Sequence, residues 1–553
     1  MFSTTWNRLW EMHDQVKDMF TFFIKPNSSK VVSKGVTGNH QSENSGNSGG
    51  YTPRSYTTAQ MVGLFLGPLL FILTLLFFQP EGLSTEARGV LASTIWIATW
   101  WITEAIPIPA TSLLPLVLFP LTNSLDMKVT ASSYGDETIF LFMGGFIIAL
   151  AMEKWNLHRR IAISIISMVG TNMDRIVLGF MISTGFLSMW ISNTATAMMM
   201  IPIGLAIINQ VADGLKNDPS IDTSPHRFAF GKALMLGIAY SASIGGIATL
   251  IGTPPNTLLA GAINKMYGIE LSFAGWMLFG VPFAWIFIFV TWIYLVKIAF
   301  PSKLKTLPGG SAVIDKQKRD LGAASIEEKI VFVVFALAAF SWITRTFLLS
   351  KFVDGLTDGM IAIIFAIVLF AIPSVNRKGE RLMDWPTAVK LPWGILLLFG
   401  GGLAIASGFV GTGLSEWIGT QLMGLEGVSV IVLIFLVAAL VLGLTEITSN
   451  TATASMMYPI MAALAVALGV HPYALMIAAS VAASCAFMLP VATPPNAAVF
   501  GSGYIKIKDM MKAGFALNIF GVVFITLSIY FLIPVLWDID LKSVPEIFKV
   551  MNK

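Results

Sequence analysis

The feature that most constrains this chain is a succession of apolar stretches, from Met61 almost to Leu536, each long enough to cross a bilayer. A helix of roughly 20 residues spans about 30 Å of hydrocarbon. With 55% hydrophobic residues, 12% charged residues and a mean hydropathy of +0.75, the 553-residue chain carries more apolar surface than a water-soluble core can bury. It is read as an all-α polytopic membrane protein. Spans fall near 61–80, 88–103, 106–121, 136–153, 228–265, 272–298, 329–348, 358–374, 391–412, 473–505 and 514–536. That makes about 11 transmembrane helices. Two further apolar stretches, 176–212 and 428–470, fit neither one crossing nor two, and each is broken by a polar Ser-Asn-Thr. They read as re-entrant hairpins, because irregular backbone at membrane depth is tolerated only where protein or a water-filled cavity satisfies its polar groups.

The loops give an orientation. With the N-terminus cytoplasmic, inner loops hold His158, Arg159, Arg160 and Arg175, then Lys303, Lys305, Lys316, Lys318 and Arg319, then Arg377, Lys378 and Arg381. The outer loop from Gly413 to Val428 holds Glu416 and Glu426 and no Lys or Arg, as the positive-inside bias expects. The same bias explains the net charge of +4 without nucleic acid as a partner. Placement is multi-pass in a cell membrane, read as a bacterial inner membrane among membrane lipid. Before the first span, Trp6, Trp10, Phe20 and Phe22 precede the polar run HQSENSGNSGG, which predicts a short amphipathic or membrane-surface helix and a flexible tether. Glu11, His13 and Asp14 interrupt any signal-peptide core, and Glu11, Asp14 and Asp18 are wrong for a transit peptide. Cys485 is the single cysteine, so neither an internal disulfide nor a cysteine metal cluster can form.

Self-similarity divides the spans into two halves. Ser192 to Ile203 reads SNTATAMMMIPI and Ser449 to Ile460 reads SNTATASMMYPI, 257 residues apart, and the same displacement aligns LFMGG from Leu141 with LFGGG from Leu398. Downstream, Gly252-Thr-Pro-Pro-Asn256 is matched by Ala492-Thr-Pro-Pro-Asn496. Five crossings and one hairpin per copy give an odd number, so the second copy enters from the opposite face and the repeats have inverted topology. The expected divisions are an N-terminal extension and tether (1–57), a first transmembrane helix (58–83), repeat 1 (84–300), a cytoplasmic linker (301–328), repeat 2 (329–538) and a C-terminal tail (539–553). Repeat 1 would hold a hairpin at 176–212 and a broken helix at 252–256; repeat 2 would hold a hairpin at 428–470 and a broken helix at 492–496.

Polar turns inside apolar segments need a reason, since each unsatisfied backbone group in hydrocarbon costs several kcal/mol. Half-helices at Ser192-Asn193-Thr194 and Ser449-Asn450-Thr451 would aim partly positive N-terminal amides at a shared midplane point. An anion with two charged ends, such as a dicarboxylate, could be gripped at each end by one copy. Pro254, Pro255, Pro494 and Pro495 lack N–H groups, which frees carbonyls such as those of Gly252 and Ala492 for a small hard cation. A lone Ser-Asn-Thr usually bonds back to its own helix, and a lone Pro-Pro usually marks a kink. Duplication of both at matched positions is what points to a site.

These paired motifs resemble the divalent anion/sodium symporter family of dicarboxylate and citrate carriers, over about Ser84 to Leu536. The resemblance implies a scaffold domain and a transport domain, elevator movement, a homodimer and Na+ as coupling ion, with no organic cofactor and no enzymatic activity. It implies a first sodium site of Ser188, Ser192, Asn193 and Gly252, and a second of Thr445, Thr448, Asn450 and Ala492. Substrate carboxylates would meet Ser192, Asn193, Thr194, Ser449, Asn450 and Thr451, with Thr253 and Thr493 nearby. The N-terminal extension and the stretch from Ser302 to Ile326 depart from the family pattern without touching the motifs.

The activity so implied is secondary active symport of sodium with C4-dicarboxylates such as succinate, malate and fumarate. A dicarboxylate exchanger, a proton-coupled carrier using Glu446, and a sodium-coupled citrate or sulfate carrier are the alternatives. No Lys or Arg accompanies the motifs, so two carboxylate charges need cations or helix ends, which favours sodium. An enzyme would need a partnered nucleophile or a metal cluster, and a channel continuous pore rings; neither is evident. Glu446, within the second hairpin, is read as pairing inside the protein and steadying it, against a role in proton relay or sodium affinity. Glu104 reads as a short-loop residue, Glu153-Lys154 as a span end and His471 as a helix end.

Overall fold

The computed structural model describes residues 56–169, 172–215, 222–302, 310–422 and 427–549. The expected surface helix and tether before residue 56 lie outside the described residues. Helices make up the described chain, and pairing of strand type is confined to isolated bridges such as Pro373 with Arg381. Among the described residues, six helices are long and apolar enough to cross a membrane: Thr58–Phe77, Met127–Lys154, Asn193–Gly214, Phe273–Ala299, Trp393–Gly411 and Ile507–Trp537. Shorter apolar helices cover Ile108–Leu121, Asp358–Ala371, Val430–Thr445 and Pro472–Ala483. On Ile507–Trp537 an outward stripe of Phe515, Ile519, Val523, Leu527, Phe531 and Val535 recurs every fourth residue. Such a stripe is costly in water and natural against hydrocarbon.

Matched motifs sit on matched elements. Helices begin at Leu157, Met173 and Asn193, and again at Leu414, Val430 and Asn450, each 257 residues on. The first hairpin is Met173–Ser188 with Asn193–Gly214; the second is Val430–Thr445 with Asn450–Ala467. Each turns at its Ser-Asn-Thr.

Three expectations need correction. The breaks reach only the first two residues of 252–256 and 492–496 and lie mostly upstream, at 247–253 and 484–493. Helix Ala229–Gly246 stops before Ile247 and the chain resumes as Pro254–Tyr267; Pro472–Ala483 stops before Ser484 and resumes as Pro494–Phe500. The proline pairs therefore open the downstream half-helix, where a missing N–H has no intrahelical partner to lose, and the irregular backbone lies upstream of them. Second, segments read as loops contain helices, Leu157–Val169 and Leu414–Leu422. The first buries Ala162, Ile163 and Ile166 while carrying Arg159 and Arg160, and such a two-faced helix averages to an unremarkable hydropathy. Third, the span expected at 106–121 is two short helices, Ile108–Thr111 and Pro115–Leu121. Its turn is held by Trp101 Nε1 donating to Ser112 Oγ at 3.2 Å and by Tyr134 Oη donating to Ser112 O at 2.5 Å.

This broken segment packs along Trp393–Gly411, where Gly394, Gly401 and Gly408 repeat every seven residues on one face. A Cβ on Gly394 would sit 2.6 Å from Pro109 Cγ, and one on Gly401 2.7 Å from Ser112 O. Small residues at this spacing let backbones approach closely, which supplies packing where hydrocarbon offers no hydrophobic drive. Gly401→Val is expected to lower the thermal unfolding temperature of the detergent-purified protein, by an overpacking cost of roughly 1–3 kcal/mol or more.

His471 caps Pro472–Ala483: its Nδ1 accepts from Tyr473 N at 3.2 Å, and its ring packs on Phe548 at 4.7 Å between centroids. The expected helix-end role is what the structure shows. Burial pushes its pKa down to about 4, since the imidazolium would lose its hydration. The unfolded ring takes up a proton near pH 6.5 and the folded one only near pH 4, so this group's stabilisation is whole above 6.5 and is lost as pH falls towards 4. Thermal melts between pH 7 and 4 should fall by roughly 1.4 kcal/mol per pH unit within that window, and less steeply in His471→Asn, which keeps a cap acceptor without the proton.

Candidate functional site

Each hairpin tip joins a broken helix through the same chemistry. Ser188 Oγ lies 2.6 Å from Ala242 O and 2.5 Å from the Asn193 amide; Thr445 Oγ1 lies 2.9 Å from Ala483 O and 2.7 Å from Asn450 Oδ1. Ser192 and Ser449 are the N-caps and Asn193 and Asn450 the first helical residues, so each tip presents a helix N-terminus with its free N–H groups and partial positive charge. The Ser192 side chain accepts from Ala195 N at 3.2 Å, completing its cap. Ser192, Asn193, Thr194, Ser449 and Asn450 are half-buried, and Thr451, Thr253 and Thr493 are buried.

At the first tip one atom of the Asn193 amide faces Ser188 Oγ at 2.5 Å, Ala242 O at 3.1 Å and Gly252 O at 3.2 Å. With nitrogen in that place, the amide donates to the carbonyls. With oxygen there, an oxygen cluster converges whose mutual repulsion a small hard cation relieves. The structure thus brings together Ser188, Asn193 and Gly252 of the expected first cation set; the Ser192 side chain is engaged in its cap. At the second tip it joins Thr445 to Asn450. Thr448 Oγ1 instead bonds Leu444 O at 2.7 Å and pairs with Thr453 at 2.6 Å. Ala492 is held by its N–H on Leu489 O at 3.2 Å, and the described hydrogen bonds do not join it to Asn450.

The irregular backbone of each break is held from within. Asn256 Nδ2 donates to Gly246 O, Ile247 O and Thr249 O at 3.3, 3.0 and 2.8 Å; Asn496 Nδ2 donates to Ala486 O and Leu489 O, both at 3.1 Å. Thr249 Oγ1 donates to Met189 O at the first tip and accepts from Gly252 N. The second copy does this with a carboxylate. Glu446, in the position equivalent to Met189, accepts from the N–H groups of Phe487, Met488 and Leu489 at 2.9–3.3 Å and from Asn518 Nδ2 at 2.6 Å. Its place is the internal one expected of it.

Contacts also run between the halves. Tyr458 Oη donates to Pro255 O at 2.6 Å, Ser480 Oγ bonds Asn256 Oδ1 at 3.3 Å, and Tyr240 Oη donates to Phe487 O at 2.9 Å. Sequence reasoning missed Thr249, Tyr240, Tyr458 and Asn518; Tyr458 could have been flagged as the tyrosine that replaces Ile201 within the repeated segment.

Comparison with known proteins places the chain in a family and a fold. The family model described as the sodium:sulfate symporter transmembrane region matches residues 58–539. A protein of Staphylococcus saprophyticus named sodium-dependent dicarboxylate transporter SdcS is 54% identical over 494 residues, 89% of this chain and 94% of that protein. Its namesake in Staphylococcus aureus strain MRSA252 is 52% identical over 493 residues, 89% and 94% of the two chains. Among solved structures, the YdaH transporter of Alcanivorax borkumensis superposes with a TM-score of 0.51 at 14% identity, covering 87% of this chain and 99% of that one. MtrF of Neisseria gonorrhoeae gives 0.50 at 12% identity, with 84% and 94% covered. At such identities the likeness is one of fold alone, a polytopic helical one.

Glu446→Gln places an amide nitrogen against N–H groups that now find an acceptor. It is expected to destabilise the purified protein by roughly 1–3 kcal/mol, read as a lower unfolding temperature. An unchanged melt would contradict the anchoring role.

Proposed function

The chain belongs to the sodium:sulfate symporter family, and on that premise we propose that it is a sodium-coupled carrier of small dianionic carboxylates, C4-dicarboxylates such as succinate, malate and fumarate foremost. The observation that carries the proposal is the duplicated tip: Ser188 with Asn193, and Thr445 with Asn450, each bonded in the same pattern to a broken helix. Relatives at 52–54% identity bear the name of sodium-dependent dicarboxylate transporters, which favours carboxylate over sulfate.

In this reading the substrate lies between the tips. Ser192, Asn193 and Thr194 receive one carboxylate and Ser449, Asn450 and Thr451 the other, with Thr253 and Thr493 beside them. Helix N-termini and hydroxyls orient the anion, but partial charges alone do not balance two full ones. Sodium supplies the remainder, held in the first site by Ser188, Ser192, Asn193 and Gly252, and in the second by Thr445, Thr448, Asn450 and Ala492. Carbonyl, amide and hydroxyl oxygens are the donors such a hard cation takes. With both sites filled the dianion is neutralised, and the loaded assembly can move through a low-dielectric surround that would oppose the bare anion.

The wider architecture proposed is two inverted repeats with about eleven crossings and two re-entrant hairpins, an N-terminus in the cytoplasm of a bacterial cell, and a homodimer. Both hairpins and both broken helices would travel together as an elevator-type transport domain. The bonds from Tyr458, Ser480 and Tyr240 between the halves support such a unit.

The test is uptake of labelled succinate into proteoliposomes, with an inward sodium gradient or matched potassium. Uptake is expected to need sodium, and to fall roughly tenfold or more in both Asn193→Ala and Asn450→Ala, the loss of at least one charge-assisted bond. Equal uptake in potassium with internal dicarboxylate loaded would make the protein an exchanger. Competition by excess sulfate but not by fumarate would overturn the substrate class.

A further inference from the structure

The two copies of the tip are not equal, and one of the differences is a methyl group beside the proposed cation site. The bonds of the buried asparagines fix the correspondence: Asn256 holds Gly246 O and Thr249 O as Asn496 holds Ala486 O and Leu489 O. Gly246 and Ala486 therefore occupy the same place, 240 residues apart, at the upstream edge of each break.

At Gly246 that place faces the Asn193 amide and Gly252 O of the first tip. A Cβ there would stand 2.6 Å from the nearer atom of the Asn193 amide and 3.0 Å from Gly252 O, the two groups proposed to face the cation. Contacts that close do not occur, so something would have to shift. Gly252 O is backbone, and its own residue is wedged: a Cβ on Gly252 would meet Gly246 O at 2.5 Å and Met189 O at 3.0 Å. The Asn193 amide is held by Ser188 and Ala242. A methyl at 246 thus narrows the space between the tip asparagine and the broken backbone, and the second copy has alanine at this position and alanine again, Ala492, where the first has Gly252.

We propose that Gly246 sets the size of the first cation site and that Ala486 sets that of the second, so that the two sites discriminate differently among monovalent cations. The inference rests on the sodium-coupled reading given above. Gly246 and Ala486 are positioning residues: neither side chain offers a ligand, and each acts through the distance between the tip asparagine and the broken backbone. A roomier site favours the larger ion, because a small one cannot be reached by all the oxygens at once.

The experiment is a titration of the full-length purified protein with sodium and with lithium, read as the rise in unfolding temperature, alongside cation-dependent succinate uptake. In Gly246→Ala the half-saturating sodium concentration should rise roughly tenfold or more, the equilibrium consequence of overpacking a fixed site, the Hill coefficient for sodium in uptake should fall, and preference should move towards lithium. In Ala486→Gly preference should move the other way, towards sodium. Wild-type titrations in a folded Gly246→Ala would overturn the inference. Should Gly246→Ala fail to fold, Ala486→Gly decides: a shifted lithium-to-sodium ratio supports the inference and an unshifted one overturns it. A wild-type protein whose stability and uptake ignore sodium would instead sink the functional reading, and this inference with it.

Discussion

Backbone polar groups taken out of a helix and buried must find partners within the protein, and the rest of this structure depends on how they are satisfied. Each broken helix leaves a run of N–H and C=O groups without regular helical pairing between Gly246 and Pro254, or between Ala483 and Pro494. A buried asparagine from the downstream half-helix turns back and donates to the carbonyls of that run, Asn256 in the first copy and Asn496 in the second. A glycine on the following helix, Gly280 or Gly514, lets that helix lie directly on the irregular backbone. In the first copy one carbonyl of the run, Gly252 O, faces the Asn193 amide of the hairpin tip at 3.2 Å.

The copies diverge in how the tip is tied to the break. In the first, the break reaches the tip: Thr249 bonds Met189 O, and Trp276 Nε1 donates to Ile247 O at 2.8 Å. In the second, the tip reaches the break: Glu446 accepts three backbone N–H groups, and Asn518 completes its shell. A carboxylate so enclosed is a strong anchor, because charge-assisted bonds in a low dielectric are worth more than neutral ones and leaving any donor unpaired is costly. The duplicated geometry has thus been preserved through two different sets of side chains.

Much of this was legible in the sequence. Ser-Asn-Thr and Thr-Pro-Pro-Asn recur with nearly the same letters, and identical letters at a constant displacement can be recognised without a structure. Ser188 and Thr445 follow from the same displacement, each four residues before its motif. The helices Leu157–Val169 and Leu414–Leu422 were hidden because a two-faced helix has no long apolar run. The position of the breaks was misread because a proline pair looks like the end of a helix, when an unpartnered first turn is where proline fits best.

Hydropathy, the repeat and the motifs were sufficient to determine a helical membrane protein with two related halves and one polar tip in each, since these properties belong to residue types and spacing. Which groups complete the site was decided only by the tertiary structure. Glu446 meets its donors about forty residues along the chain, and Tyr458 meets Pro255 across 203 residues. No local pattern encodes contacts of that range. Whether Gly246 is merely a small residue or the wall of a cation site depends on an approach of 2.6 Å between elements that only folding brings together.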